Sequence, residues 1–199
     1  MRKKSHISLA GQMMKSMELE KIMKHRLSFY LGSILPDCRP SFLMTPHSFD
    51  ETFFQIGEQM RKMVQDFVGK EHLTMAGTIQ LGEVTHYIAD YFTFPHNKHY
   101  TGNLKDHCTY EGDLKRRLKE FIQSGKAMEL RDQVQVFDTV EELISYIRQR
   151  HQEYMSCPRS IREDMEYIII VCSSVMVSIL HMCFVLTTEW IQKPSYMFA

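Results

Sequence analysis

The chain is short of the residues that mark most fold classes other than helical ones. One tryptophan, nine glycines and six prolines in 199 residues exclude collagen-like and low-complexity chains. No long stretch alternates apolar and polar residues, so the period-two pattern of a sheet protein is missing. Neither sign of charge is in excess: 24 Lys and Arg balance 24 Asp and Glu, which argues against a dedicated nucleic-acid binder. The five cysteines are odd in number and form no C-x-x-C pair, so reduced thiols are expected, not a disulfide framework. Near the N-terminus, Ile7 to Lys15 is too short and too polar for a signal-peptide core, which leads to the expectation of a cytoplasmic protein.

What is present reads as helix. The chain is 44% hydrophobic, enough for a core, and its length suits a single domain over 1–199. Fifteen methionines suit irregular gaps between packed helices. The periodicity predicts a first helix from about Ser5 to Leu31, with Ile7, Ala10, Met14 and Met17 inward and a stop at Gly32. Pro36, Pro40 and Pro46 mark a long loop, a common place for function. Ser48 to Glu51 reads as a capping box opening a helix to about Val68, with Phe53, Phe54, Ile56, Met60 and Met63 as its apolar side. Further helices are expected over about Glu71–Phe92 and 105–124. Gln133–Phe137 reads as a short extended piece. Helices from Thr139-x-x-Glu142 to about Tyr154, and onward from Ser160-x-x-Glu163, complete an all-α chain. Cys157-Pro158 is read as the break between these last two.

Residues 168–186 carry no Asp, Glu, Lys or Arg and are long enough to span a membrane. Ser173, Ser174, Ser178 and His181 favour a central core helix instead. Residues 1–26 hold seven Lys and Arg against Glu18 and Glu20. The first reading of that end is a solvated helix face, and the second an approach surface for an anionic membrane or a phosphate-rich substrate.

The densest chemistry lies in His86-x-x-x-Asp90, Pro95-His96 and His107-x-x-x-Glu111. On a helix, residues four apart share a face, so each pair can aim an imidazole and a carboxylate at one point, as zinc requires. Ten histidines among 24 acidic residues make one such pair unremarkable, and His47/Glu51 is read as incidental. On spacing alone, a metal site and a solvated surface are equally good readings. His25, His72, His99 and His151 read as surface residues, and His181 as a hydrogen-bonded core residue.

At these residues the chain resembles the zinc-dependent phospholipase C family, which shares its fold with the zinc single-strand nucleases. The resemblance rests on the string from His86 to Asn97 with His107-x-x-Tyr110-Glu111, on Ser5-His6, on Gly32 to Asp37, and on His47 ten residues later. It covers about residues 5–115 and implies a compact multi-helix bundle of that type. It implies that Asp37, His47, His86 and Asp90 hold one zinc, and His96, His107 and Glu111 a second. Asp90 would bridge to a third ion bound by His6 and the backbone of Met1. Secreted members use a freshly cleaved N-terminal Trp at that third site. This sequence instead starts Met1-Arg-Lys-Lys-Ser-His6, so two firm ions and a labile third are expected. The His and carboxylate set would also suit iron, manganese, nickel or cobalt.

The resemblance further implies a phosphodiesterase that attacks phosphate esters, phospholipid or soluble, with a metal-activated water. Asp37 would be its general base or water-orienting group. Tyr87, Tyr91, Phe92, Phe94 and Tyr110 are candidate walls for a headgroup or base, with core packing the better reading for at least half of them. Transient membrane-surface contact is expected and a stable nucleic-acid complex is not. The rival readings are a nuclease or nucleotidase on the same fold, and a non-catalytic metal-binding helical protein.

Overall fold

A computed structural model describes residues 1–16, 24–39, 46–156 and 160–184. Among these the regular structure is entirely helical: α1 Lys3–Ser16, α2 Arg26–Gly32, α3 Phe49–Phe67, α4 Met75–Tyr91, α5 Leu104–Gln123, α6 Val140–Ser156 and α7 Ile161–Phe184. Three 3-10 segments join them, at Pro36–Cys38, Phe94–His96 and Lys126–Gln133. This is the all-α architecture expected.

The helix starts follow local chemistry. Thr74 caps α4 by accepting from Gly77 N at 3.1 Å. Asn103 and Asp106 close a full capping box on α5. The Thr139/Glu142 and Ser160/Glu163 caps form as the sequence predicts. Ser48 does occupy the N-cap of α3, but its side chain makes no capping bond, and the box expected there is not formed.

The long first helix is not continuous. A turn at Lys24–His25 precedes α2, and the expected positions Met17–Met23 lie outside the described residues. The separate α2 packs very closely on α4. A Cβ on Gly82 would stand 2.5 Å from Phe29 O, and one on Gly32 2.1 Å from Ile79 O, so only glycine permits this approach. Two of the expected apolar positions face solvent, Ile7 at 42% and Phe54 at 77% exposure. Phe53 and Phe54 are neighbours, and adjacent helical residues diverge by about 100°. Phe53 takes the inward place.

One apolar cluster runs from Met1 through Leu9, Phe29, Met60, Ile88 and Leu143 to Cys183. At its centre lies α7, with 83% of its most apolar stretch buried within the protein. It is long and apolar enough to cross a membrane, and here it serves as the core helix that its serines suggest. Ser174 Oγ accepts from Gln135 N at 3.0 Å and Ser178 Oγ from Phe137 N at 3.1 Å. Residues 134–137 are thus a non-helical piece with two donors, Gln135 N and Phe137 N, satisfied by a helix and not by a strand, while Val134 N bonds back to Arg131 O and Gln133 closes the preceding 3-10 segment. Residues 185–186 of the apolar run, and the Cys157-Pro158 break, fall outside the described residues.

Two histidines differ from expectation. His151 is buried, stacked on Phe49 at 3.9 Å between ring centres. His181 lies at the edge, half buried and paired with Asp138 at 2.8 Å.

Candidate metal centre

The close α2/α4 contact positions the first group of donors. His86 and Asp90 lie one turn apart on α4 and both are fully buried. The chain leaving α2 lays Ser33 O against His86 Nδ1 at 2.8 Å. A carbonyl only accepts, so Nδ1 carries the proton and Nε2 presents its lone pair. The Pro36–Cys38 turn then brings Asp37 in, and the segment leading into α3 brings His47.

The donor separations test the fit to a metal ion. His86 Nε2 is 3.1 Å from His47 Nδ1 and 3.3 Å from Asp90 Oδ2. His47 Nδ1 is 3.2 Å from the same oxygen. A tetrahedron with bonds of about 2.0 Å has edges of about 3.3 Å, so these three atoms sit at zinc-like spacing. Asp37 Oδ1 is the loosest vertex, 3.8 Å from His47 Nδ1 and 3.7 Å from His86 Nε2.

A second group stands beside it. His107 and Glu111 lie one turn apart on α5, and the Phe94–His96 turn swings His96 toward them. Glu111 Oε1 is 3.2 Å from His96 Nε2 and 3.1 Å from His107 Nε2. The Met1 amine lies between the groups, ion-paired with Asp90 Oδ1, 3.0 Å from His96 Nε2 and 3.3 Å from Glu111 Oε1. His6 Nε2 approaches Asp90 Oδ1 at 3.3 Å without the alignment of a hydrogen bond, and stays a buried polar atom without a partner. An orphaned imidazole nitrogen aimed at a carboxylate is what a missing cation would satisfy. All nine residues singled out in the sequence are therefore brought to one place.

The protonation states suit a metal. Burial depresses the His6 imidazole to about 3, with His86 adding to it, and burial lowers His96 as well. Burial works against ionised Asp90 and Glu111, yet their neighbours win. His96, the Met1 ammonium and His86 hold Asp90 well below its usual range, and hydrogen bonds from His107 and His96 do the same for Glu111. Depressed imidazoles at His6 and His96 beside carboxylates held ionised at Asp90 and Glu111 favour the deprotonated donors that metal binding requires, whereas Asp90 and Glu111 raise the Met1 ammonium despite its burial, so that amine must give up a proton to bind. Asp37 is the exception: burial pushes its carboxyl up.

Three supporting residues escaped the sequence reading. Asp164 on α7 accepts from Phe94 N at 3.0 Å, Tyr110 OH at 2.9 Å and Tyr154 OH at 2.8 Å. It thereby fixes the turn that carries His96 and the residue next to Glu111. Asn97 donates to Tyr91 O and Thr93 O, and its Oδ1 meets His151 Nε2 at 2.9 Å, bracing the chain between Asp90 and His96. Their long-range partners, 54 and 70 positions away, leave no short-range motif. Ser33 acts through its carbonyl, which no side-chain pattern reveals.

A cavity of about 1010 Å³ opens over the site. Asp37, His47, His96, His107, Glu111 and Met1 reach it, while His6, His86 and Asp90 lie beneath its floor. None of the five candidate wall residues is in its described lining, and core packing is the reading that holds for Tyr91 and Phe92. Tyr91 and Phe92 are in the core, Phe94 packs on Tyr100 and Tyr110, and Tyr87 leans on His47 from the side.

The family model for zinc dependent phospholipase C matches residues 5–161, more than half of the chain. The chain belongs to the zinc dependent phospholipase C family. Every side chain of the two donor groups, and His6, falls within the matched span; Met1 lies just before it. The family is described as zinc dependent, and the two donor groups form a candidate metal site in keeping with that description. No curated protein and no solved structure matches the chain.

Proposed function

We propose that the chain is a zinc-dependent phosphodiesterase of the phospholipase C type. The carrying observation is the convergence of two donor groups, at metal-like spacing, on one open cavity. Asp37, His47, His86 and Asp90 would hold one ion, and His96, His107 and Glu111 a second. His6, Asp90 and the Met1 backbone would hold a more labile third. Zinc, when bound, supplies Lewis acidity that makes water a nucleophile near neutral pH and offsets phosphate charge.

The chain's own residues do the rest. The Ser33 carbonyl fixes the His86 tautomer, and the Asp164 and Asn97 brackets keep His96 and Glu111 in register. Asp37 is the loosest vertex, reaches the cavity, and has its carboxyl pushed up by burial. Those three properties suit a group that orients the attacking water and takes its proton. The three-donor group leaves coordination positions open, as catalytic sites do, which favours an enzyme over a structural metal site.

Asp90 touches both the first group and the His6/Met1 corner. Asp90→Asn is expected to release zinc and to abolish hydrolysis of a phosphodiester such as bis-p-nitrophenyl phosphate. Full activity with full zinc content in that variant would refute the assignment.

A further inference from the structure

The cavity over the donor groups is walled by cations. Among the described residues Arg2, Lys3, Lys4, Lys98 and Lys115 line it, against only Asp50 and Glu51 outside the donor set. Lys98 Nζ stands 3.9 Å from Asp50 Oδ2 with both side chains exposed, a pair too loose to neutralise either. Arg2 is anchored by donating Nη2 to Cys108 O at 2.6 Å, which leaves guanidinium donors for a ligand. Among the described residues no ion pair engages Lys3, Lys4 or Lys115. Lys115 is half buried on α5, four residues beyond Glu111 and on its face. The basic N-terminal stretch is therefore turned toward the site rather than away from it.

Such a wall selects by charge. A quaternary ammonium headgroup would bring a cation to a rim of five cations. The donor carboxylates Asp37, Asp90 and Glu111 face the imidazoles and the Met1 amine, and among the described residues none of them pairs with a rim lysine. A single phosphodiester charge at the floor would leave the rim lysines unused.

We propose that the cavity takes a phosphoester carrying a second anionic group beside the ester that is cleaved, with Lys3, Lys4 and Lys115 holding that second group. This rests on the phosphodiesterase reading above and narrows its substrate class. The second anion is a phosphate on a lipid headgroup or on a small soluble phosphoester; both present the same chemistry to the rim.

The test is calorimetric titration of the zinc-loaded full chain with inositol monophosphate and inositol bisphosphate. It is repeated on the Lys3→Gln/Lys4→Gln/Lys115→Gln variant and on Lys115→Gln alone. The bisphosphate is expected to bind about tenfold or more tightly than the monophosphate, the worth of one charge-assisted contact. Its affinity should fall more steeply with salt. The preference should vanish in the triple variant and shrink in Lys115→Gln, while zinc content and melting temperature match the parent chain. Equal affinity for the two probes, or an unchanged preference in both variants, overturns the proposal.

Hydrolysis then separates the sources. Faster cleavage of phosphatidylinositol phosphate in phosphatidylcholine vesicles supports a lipid headgroup, and faster cleavage of its deacylated form supports a soluble ester. Faster cleavage of phosphatidylcholine than of either overturns the proposal. Loss of all hydrolysis with the bisphosphate preference intact would refute the phosphodiesterase reading instead, and leave the anion site standing.

Discussion

Asp164 offers the sharpest test of how the scaffold holds the site. It lies outside both donor groups, yet its two oxygens accept three hydrogen bonds, from α5, α6 and the turn that carries His96. Asp164→Ala removes both acceptor oxygens and with them all three hydrogen bonds. A buried donor left unsatisfied costs about 1–3 kcal/mol. The Tyr154 bond is buried, whereas the Phe94 and Tyr110 bonds are partly so and can recruit water. The loss should total about 3–5 kcal/mol.

Asp164→Asn separates shape from charge. Its amide oxygen can keep Phe94 and Tyr110, and the Tyr154 hydroxyl can turn to accept from the new NH2. Burial already pushes the Asp164 carboxyl up to about 6, so its charge is held at a cost that Asn removes. The Asn variant should stay within about 1 kcal/mol of the parent. The assay is urea unfolding of the chelated protein, with zinc affinity measured by competition against a chromophoric chelator. Loss of a group that orients metal ligands typically costs about 10–100-fold in affinity. The alanine variant should show this at the His96, His107, Glu111 group, and the asparagine variant should largely restore it. An alanine variant with an unchanged unfolding midpoint and unchanged zinc affinity would refute the reasoning.

Other consequences follow from the same packing. Burial depresses His151 to about 4, below its ordinary value, so its contribution to stability is complete above about pH 6.5 and is lost as pH falls through that window. Relative to His151→Gln, the parent chain should lose about 2 kcal/mol between pH 7 and pH 5, measured by urea unfolding; parallel curves would show the ring titrates normally. Gly82→Ala would drive a Cβ to 2.5 Å from Phe29 O and 2.8 Å from Ser33 N, backbone that cannot swing aside. It should cost about 2–3 kcal/mol in unfolding experiments and weaken zinc binding at His86, because Ser33 O moves with α2. A fully stable variant with normal zinc affinity would show that the helices can part without consequence.

The donors were legible because two helical pairs four residues apart are local facts: His86/Asp90 and His107/Glu111 keep their meaning in any packing of α4 and α5. The family resemblance supplied the others in order. The break before α2 was not legible, because the apolar period continues and the demand for it comes from glycines 32 and 82 meeting across the interface. The burial of His151 was hidden for the same reason, since its partner Asn97 and its stacking partner Phe49 lie on other elements. Tyr91 and Phe92 beside Asp90 are core and not wall, because α4 is buried nearly all round. The lysines of the first turn read as a solvated face, and only the fold shows them rimming the cavity.

Zinc content per chain by elemental analysis, on protein that starts at an unblocked Met1 and on His86→Ala, tests the central claim most directly. The predicted result is two equivalents that survive dialysis, a third that does not, and a fall in the retained zinc in the variant. No retained zinc after reconstitution, or equal content in both proteins, would contradict a metal centre built on these residues.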